Sequence, residues 1–153
     1  MQAVDPDYDK RVRESFARQG AMAHIGAALR RVEPGLVEID LPYRPELSQQ
    51  HGFFHAGMVA TVADSAGGYA SYTLFPADSS VLTVEFKVNL IAPADGDCVR
   101  AVGQVIRSGR TLTVCELRAY VRKNGAETQC LHGMATVMCL AGRSDRGPAQ
   151  AGK

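Results

Sequence analysis

The sequence predicts an α+β domain in which an antiparallel sheet packs against one long, mostly buried helix. A stretch rich in Gly, Ala and Ser, over residues 57–74, has no turn signal between its ends, which favours a long helix. The segments after it are rich in β-branched and apolar residues, which favours strands. Asn124-Gly125 is the strongest two-residue hairpin signal and predicts that the last two strands pair antiparallel.

The length, composition and net charge of the chain exclude several classes of protein. Its 153 residues favour a single domain. With 46% hydrophobic and 22% charged residues, its composition is that of a folded soluble protein rather than a disordered one. The net charge of +1 offers no strong field for a polyanion, so we expect neither a nucleic-acid nor a membrane partner. The acidic start lacks the features of a signal peptide, and we expect a cytoplasmic protein.

The four cysteines predict no disulfide or metal framework. None forms a C-x-x-C pair, and none has the short spacing of a zinc knuckle. We expect each to be a free, buried thiol in a reducing compartment. We also expect no metal and no other cofactor. The residues are Cys98, Cys115, Cys130 and Cys139.

Turn and cap signals divide the chain into elements. A cap, a proline and acidic residues start the N-terminal helix, which Gly20 ends. Pro34-Gly35 is the turn of a hairpin whose second arm alternates with period two, whereas its first arm, at residues 27–29, fits a helix as well. The expected organisation is one domain over 1–141, with its N-terminal helix within 1–21, and a flexible tail over 142–153. The predicted elements are a helix over 5–20, a hairpin over 22–41, the long helix over 57–74, and strands over 81–91, 99–105, 112–121 and 131–140.

Polar residues crowd the entrance to the long helix, between Gln49 and Gly57. The first backbone N–H groups of a helix have no internal partners and lie at the positive end of its dipole, so they can bind a developing oxyanion. Further along, Asp64 is the only carboxylate of the helix, and its neighbours are small or apolar. A lone acid is costly to bury, so Asp64 is either held by structural hydrogen bonds or used as a base or nucleophile.

This segment resembles the signature of hotdog-fold acyl-CoA thioesterases of the PaaI type. That signature is an Asn or Gln, then Gly, then His-Gly-Gly, with an acid nine residues beyond the histidine. The resemblance covers roughly residues 22–140 and implies a hotdog fold, in which a curved antiparallel sheet wraps one long helix. The matching residues are Gln49, Gly52, His55-Ala56-Gly57 and Asp64, with further similarity at Ile91-Ala92-Pro93-Ala94 and Gly109-Arg110.

The resemblance implies hydrolysis of an acyl-CoA thioester to a free acid and CoA. Asp64 would act as general base or as nucleophile. The backbone N–H groups of Ala56 and Gly57 would polarise the thioester carbonyl and hold its oxyanion. Gln49 takes the place of the family's Asn or Gln, which orients water or the carbonyl in some members; a loop hydrogen bond is the alternative.

Three further residues have a binding role and a structural alternative. Thr83 falls where some members place a hydroxyl near the nucleophilic water, although threonine also simply favours strands. His55 either contacts substrate or caps the helix. Arg110 either binds the phosphates of CoA or is a solvated residue at a strand end.

One position departs from the family pattern. The first glycine of His-Gly-Gly is Ala56 in this chain. Alanine keeps the backbone N–H but adds a methyl group, which narrows the path of a substrate to that N–H. The alternative function is therefore a non-catalytic acyl-CoA binding or regulatory protein. The hydroxyl that another hotdog group uses one turn after its acid would fall at Gly68, and is absent.

Helix geometry predicts an oligomer. Gly57 and Asp64 are seven residues apart, or ~10.5 Å along one helix. Groups that act on one carbonyl must lie within roughly 3–3.5 Å of the reacting atoms. If both residues are catalytic, a second chain supplies one of them. We therefore expect a homodimer with two sites at its interface, with a homotetramer as a further option.

Overall fold

The computed structural model describes residues 1–143, 145 and 146. It is an α+β structure, in agreement with the prediction, with two short helices before a six-stranded sheet and one long helix. The helices are α1 (Tyr8–Ala17), α2 (Gly20–Ile25) and α3 (Ala56–Tyr72), with a short 3-10 turn at Pro45–Leu47. The strands are β1 (Ala28–Glu33), β2 (Leu36–Pro42), β3 (Ser79–Leu90), β4 (Cys98–Ser108), β5 (Leu112–Lys123) and β6 (Ala126–Ala141).

All neighbouring strands of the curved sheet are antiparallel, in the order β1-β2-β4-β5-β6-β3. The helix α3 packs across one face, mainly on β2, β4 and β5. Alternate residues of these strands face it and form the core, as the period-two pattern of the second hairpin arm predicted. They include Val37, Ile39 and Leu41 of β2 and Leu117 and Ala119 of β5, all with 0% exposure.

Two glycines allow α3 to lie close to the sheet. A Cβ atom at Gly103 of β4 would lie 2.2 Å from the backbone of Ala66 on α3. On the helix side, a Cβ at Gly67 would lie 2.5 Å from the side chain of Leu117. The contact with Leu117 gives a packing reason for Gly67 in the long helix despite the cost of glycine to helix stability. Tight packing of α3 fixes the position of every side chain that it carries.

The N-terminal segment differs from the prediction. The single helix expected within 1–21 ends at Ala17, and Gly20 begins a second helix instead of ending the first. Gln19, with φ −75° and ψ 99°, has extended backbone that separates the two helices. The second helix forms because it buries Met22 and Ile25, one turn apart, against the core.

The prediction of a hairpin over 22–41 is wrong for its first residues, since 22–25 belong to α2 and the hairpin begins at Ala28, while the other predicted elements are present with shifted bounds. The first arm of the hairpin, left open between helix and strand, is the strand β1. All four cysteines are buried free thiols, as predicted. The prediction of a flexible tail over 142–153 falls largely on residues 144 and 147–153, which lie outside the described residues.

Candidate active site

Asp64 and Thr83 meet between the middle of α3 and the edge strand β3. The hydroxyl Oγ1 of Thr83 donates a hydrogen bond of 2.8 Å to Oδ1 of Asp64. Burial raises the pKa of the Asp64 carboxyl, and the bond from Thr83 lowers it in part by favouring the charged form. Within the described part of the chain, Oδ2 accepts no hydrogen bond. The carboxylate is thus held by one oxygen while the other is available for chemistry.

The N-terminus of α3 is capped by His55. Its ring nitrogen Nδ1 accepts a hydrogen bond of 2.9 Å from the backbone N–H of Gly57. Because Nδ1 accepts this bond, the proton of the neutral ring lies on Nε2. The backbone N–H of Ala56 donates no hydrogen bond to any described residue. The two predicted oxyanion donors therefore differ, because that of Gly57 is already engaged and that of Ala56 is available.

Gln49 lies in the loop before α3, close to Ala56. Its backbone N–H donates to the carbonyl of Phe53 at 2.9 Å, and its side-chain oxygen accepts from the N–H of His51. Its side-chain NH2 makes no hydrogen bond with the described residues. Gln49 and Ala56 line one cavity of ≈ 470 Å³, whose other walls are mainly apolar and include Phe53, Val59, Ile91 and Pro93.

Asp64 opens onto a different cavity. This second cavity, of ≈ 300 Å³, lies between α3, β3 and the link between α1 and α2. Ala56 and Asp64 are eight residues apart, or ~12 Å along the helix axis. Within one chain, the available N–H of Ala56 and the carboxylate of Asp64 therefore face two separate cavities. The second cavity is lined by Gln19, Asp64, Gly68, Tyr69, Leu82 and Thr83, among others.

Arg110 lies far from the first cavity. It is exposed in the turn between β4 and β5, and it makes no hydrogen bond or ion pair with any other described residue. This turn is at the end of the sheet where α3 finishes. There, the N–H of Cys139 donates to the carbonyl of Thr111, and Tyr72 donates to the carbonyl of Ser79. Within one chain, Arg110 is therefore at the opposite end of α3 from Ala56.

Gln19 is a candidate site residue that our sequence analysis did not identify. Its side-chain Nε2 donates to the hydroxyl of Tyr69 at 2.9 Å, which places Gln19 at the wall of the Asp64 cavity. The two residues are 50 positions apart, so no local motif indicates the contact. The break between α1 and α2, which also went unpredicted, is what positions Gln19 there.

No group of three or more His, Cys, Asp or Glu side chains in the described chain is arranged to hold a metal ion. Among the described helices, none is long and apolar enough to cross a membrane.

Comparison with known proteins shows the family of this chain. Residues 51–128 match the model of the thioesterase superfamily. The chain is 26% identical to the proofreading thioesterase EntH of Klebsiella pneumoniae over 76% of this chain and 85% of that protein.

Two solved structures are similar over most of their length. A thioesterase family protein from Silicibacter pomeroyi is 48% identical, with a TM-score of 0.87 over 88% of this chain and 99% of that one. The PaaI protein of E. coli shares the fold, with a TM-score of 0.77 at 14% identity over 90% and 96% of the two chains. The chain therefore belongs to the thioesterase superfamily and has its hotdog fold.

Proposed function

We propose that this protein hydrolyses acyl-CoA thioesters at sites shared between two copies of the chain. Membership of the thioesterase superfamily supports thioester hydrolysis as the general chemistry. One observation supports the proposal of shared sites. The available N–H of Ala56 and the carboxylate of Asp64 open onto separate cavities of one chain. In this proposal, each chain contributes its oxyanion donor to one site and its carboxylate to the other.

The proposed reaction uses Asp64 as the proton acceptor or as the attacking group. As a base, Asp64 takes a proton from water while the water oxygen bonds to the thioester carbonyl carbon. The carbonyl oxygen becomes negative and accepts the hydrogen bond of Ala56. The C–S bond then breaks, and the proton held by Asp64 passes to the leaving thiolate of CoA. As a nucleophile, the Asp64 carboxylate attacks the carbonyl carbon, the C–S bond breaks and CoA leaves as the thiolate, and water then hydrolyses the resulting mixed anhydride to the free acid and the Asp64 carboxylate.

These two routes differ in where the oxygen of water first appears. In a single turnover in heavy-oxygen water, the label enters the Asp64 carboxylate if Asp64 attacks the thioester. That result requires water to open the anhydride at the Asp64 carbonyl carbon. The label enters only the released acid if Asp64 activates water, or if water opens the anhydride at the acyl carbon, and trapping the anhydride with hydroxylamine separates these two cases. Mass spectrometry of the protein and of the product distinguishes the two.

The edge strand β3 supports pairing with a second copy. It is the last strand of the sheet, so one side of its backbone has no partner among the described strands. Its large apolar side chains are unusually exposed, with Leu82 at 57%, Phe86 at 45% and Leu90 at 57%. A long apolar edge of this kind is normally covered, because free edges promote aggregation. Antiparallel pairing of β3 with its copy buries these residues and continues the sheet.

The same arrangement gives roles to the remaining predicted residues. If the two α3 helices run antiparallel across the twofold axis, the Asp64 of one chain approaches the Ala56 of the other. Arg110, beyond the C-terminal end of its own α3, then lies on the side of the other chain's α3 N-terminus, where it can pair with a CoA phosphate. Gln49, beside Ala56, offers its free NH2 group to the thioester carbonyl or to water.

A mixed dimer provides the decisive test. One chain carries Ala56→Pro, which removes the N–H donor, and the other carries Asp64→Asn; two affinity tags isolate the mixed species. If sites are shared, one of its two sites combines intact Ala56 with intact Asp64, and about half of wild-type activity is expected. Each homodimer of the variants should be inactive. An inactive mixed dimer would mean that both groups act within one chain.

The assay follows the thiol released from a panel of acyl-CoAs. Turnover by the wild type that is lost in Asp64→Asn, with CoA binding retained, supports the hydrolase. Binding of acyl-CoA without turnover of any substrate supports the alternative, a non-catalytic acyl-CoA binding protein in which the methyl of Ala56 blocks the reaction.

A further inference from the structure

We propose that Gln19 and Tyr69 make this site selective for acyl groups that end in a neutral hydroxyl, in a cavity whose width is set by Gly68. The inference rests on the proposed function and assigns the cavity beside Asp64 to the acyl group.

The shape of this cavity suits an acyl group attached at Asp64. It runs from Asp64 past Gly68 to Tyr69, which is five residues or ~7.5 Å along α3. Its volume of ≈ 300 Å³ accommodates a short chain rather than a long one. A Cβ atom added at Gly68 would meet no atom within 4 Å, whereas one at the neighbouring Gly67 would clash with Leu117. Gly67 is therefore required for packing, while Gly68 leaves space open to the cavity.

The far end of the cavity is polar. The hydroxyl of Tyr69 accepts from Nε2 of Gln19 at 2.9 Å and lies 3.2 Å from the buried hydroxyl of Ser15. The side-chain oxygen of Gln19 accepts no hydrogen bond from any described residue. A terminal hydroxyl on the acyl group can donate to that oxygen, whereas a methyl terminus would leave it without a partner.

The charges around the cavity disfavour an anionic terminus. Of the described residues that line it, Asp64 alone carries a charge. Arg18, whose charge acts on Tyr69, is paired with Asp145. A carboxylate at the end of the acyl group would therefore meet no cation among the described residues that line this cavity, and it would be repelled by Asp64.

Three acyl-CoAs of equal chain length test this proposal: hexanoyl-CoA, 6-hydroxyhexanoyl-CoA and adipoyl-CoA. We expect the wild type to have its highest kcat/KM with the hydroxyl-ended substrate and its lowest with the carboxylate-ended one. Gln19→Leu should lower the ratio of kcat/KM for 6-hydroxyhexanoyl-CoA to that for hexanoyl-CoA by about three- to tenfold, the value of one neutral hydrogen bond. The control Gln2→Leu, at an exposed position outside the cavity, should leave the ratio unchanged.

Gly68→Val provides a second, independent readout, because the Cβ atom of the new side chain would meet no atom within 4 Å and its methyl groups would take up space beside the cavity. We expect the ratio of kcat/KM for hexanoyl-CoA to that for acetyl-CoA to fall about tenfold. If Gln19→Leu and Gly68→Val leave both ratios unchanged while the protein still hydrolyses acyl-CoAs, the assignment of the cavity is wrong and the proposed function stands. If the wild type hydrolyses no acyl-CoA at all, both proposals are wrong.

Discussion

The hydroxyl of Thr83 donates a hydrogen bond of 2.8 Å to the carboxylate of Asp64 and thereby links the edge strand of the sheet to the middle of the central helix. Two opposing effects act on the pKa of Asp64 here. Burial raises it, and the hydrogen bond lowers it, with burial the larger of the two. The hydrogen bond from Thr83 therefore lowers the pH at which the buried Asp64 becomes charged, without cancelling the effect of burial.

Removing the hydroxyl of Thr83 should move the acidic limb of the pH profile. In Thr83→Val, the hydrogen bond that favours the charged carboxylate is lost, so the pKa of Asp64 rises further. Since the proposed reaction needs the carboxylate, the acidic limb of kcat/KM against pH should shift to higher pH. Thr83→Ser keeps the hydroxyl and should keep the wild-type limb. Equal profiles for all three proteins would exclude this role of Thr83.

Asp64→Asn should stabilise the fold near neutral pH while abolishing turnover. Because burial raises the pKa of folded Asp64 above its unfolded value, the carboxyl favours folding at low pH, and this contribution is lost as pH rises through the folded pKa. The Tm of Asp64→Asn should therefore exceed that of the wild type above the folded pKa, and the difference should vanish in acid. Activity should fall by roughly 10²–10⁴-fold.

The control for this measurement is Asp9→Asn. Asp9 is an exposed residue paired with Arg13 on α1 and lies outside both cavities. The Asp9→Asn variant should show no gain in Tm over the wild type at any pH. A gain in Asp9→Asn equal to that in Asp64→Asn would show that the effect comes from net charge rather than from burial of Asp64.

Ala56→Pro should reduce catalysis without unfolding the helix. Ala56 is the first residue of α3, where proline is well tolerated because the N–H there makes no helical hydrogen bond. The preceding residue, His55, already has the extended backbone that proline requires, with φ −63° and ψ 134°. Loss of one oxyanion donor should lower kcat by about 10²–10³-fold, with little change in Tm.

The matched variant Ala56→Gly keeps the N–H and removes the methyl group. We expect it to retain at least wild-type activity, since it restores the glycine of the family pattern. Wild-type kcat in Ala56→Pro would show that this N–H is not the oxyanion donor.

His55→Ala should destabilise the protein by about 1 kcal/mol, the usual cost of losing an N-cap. The ring nitrogen of His55 accepts the N–H of Gly57, and alanine cannot replace it. His55→Asn can accept the same N–H and should restore most of the stability in urea unfolding. If His55 also contacts the substrate, His55→Asn will keep an elevated KM despite its restored stability.

Phe86→Asp should break the proposed dimer. A charge at this exposed apolar position of β3 opposes its burial against a second copy. Light scattering should show monomers, and hydrolysis should be lost because each chain keeps only half of a site. Val4→Asp, at a position 72% exposed in the N-terminal segment, is the control. A fully active monomer would contradict the shared site.

The local features of this fold can be predicted from the sequence because they depend on neighbouring residues. Turn residues such as Asn124-Gly125 define the hairpins, and the alternation of Val37, Ile39 and Leu41 defines the buried face of β2. The spacing of nine residues between His55 and Asp64 places the cap and the acid on one helix. Each of these patterns corresponds to one local backbone geometry. It can therefore be predicted without knowledge of any long-range contact.

Only the tertiary structure distinguished the N–H of Ala56 from that of Gly57, because the difference depends on the rotamer of His55. The split of the N-terminal helix, and with it the contact between Gln19 and Tyr69, depends on how Met22 and Ile25 reach the core. Packing between residues far apart in the chain decides this split and this contact, because the free energy of burial outweighs the weak local preference for one continuous helix.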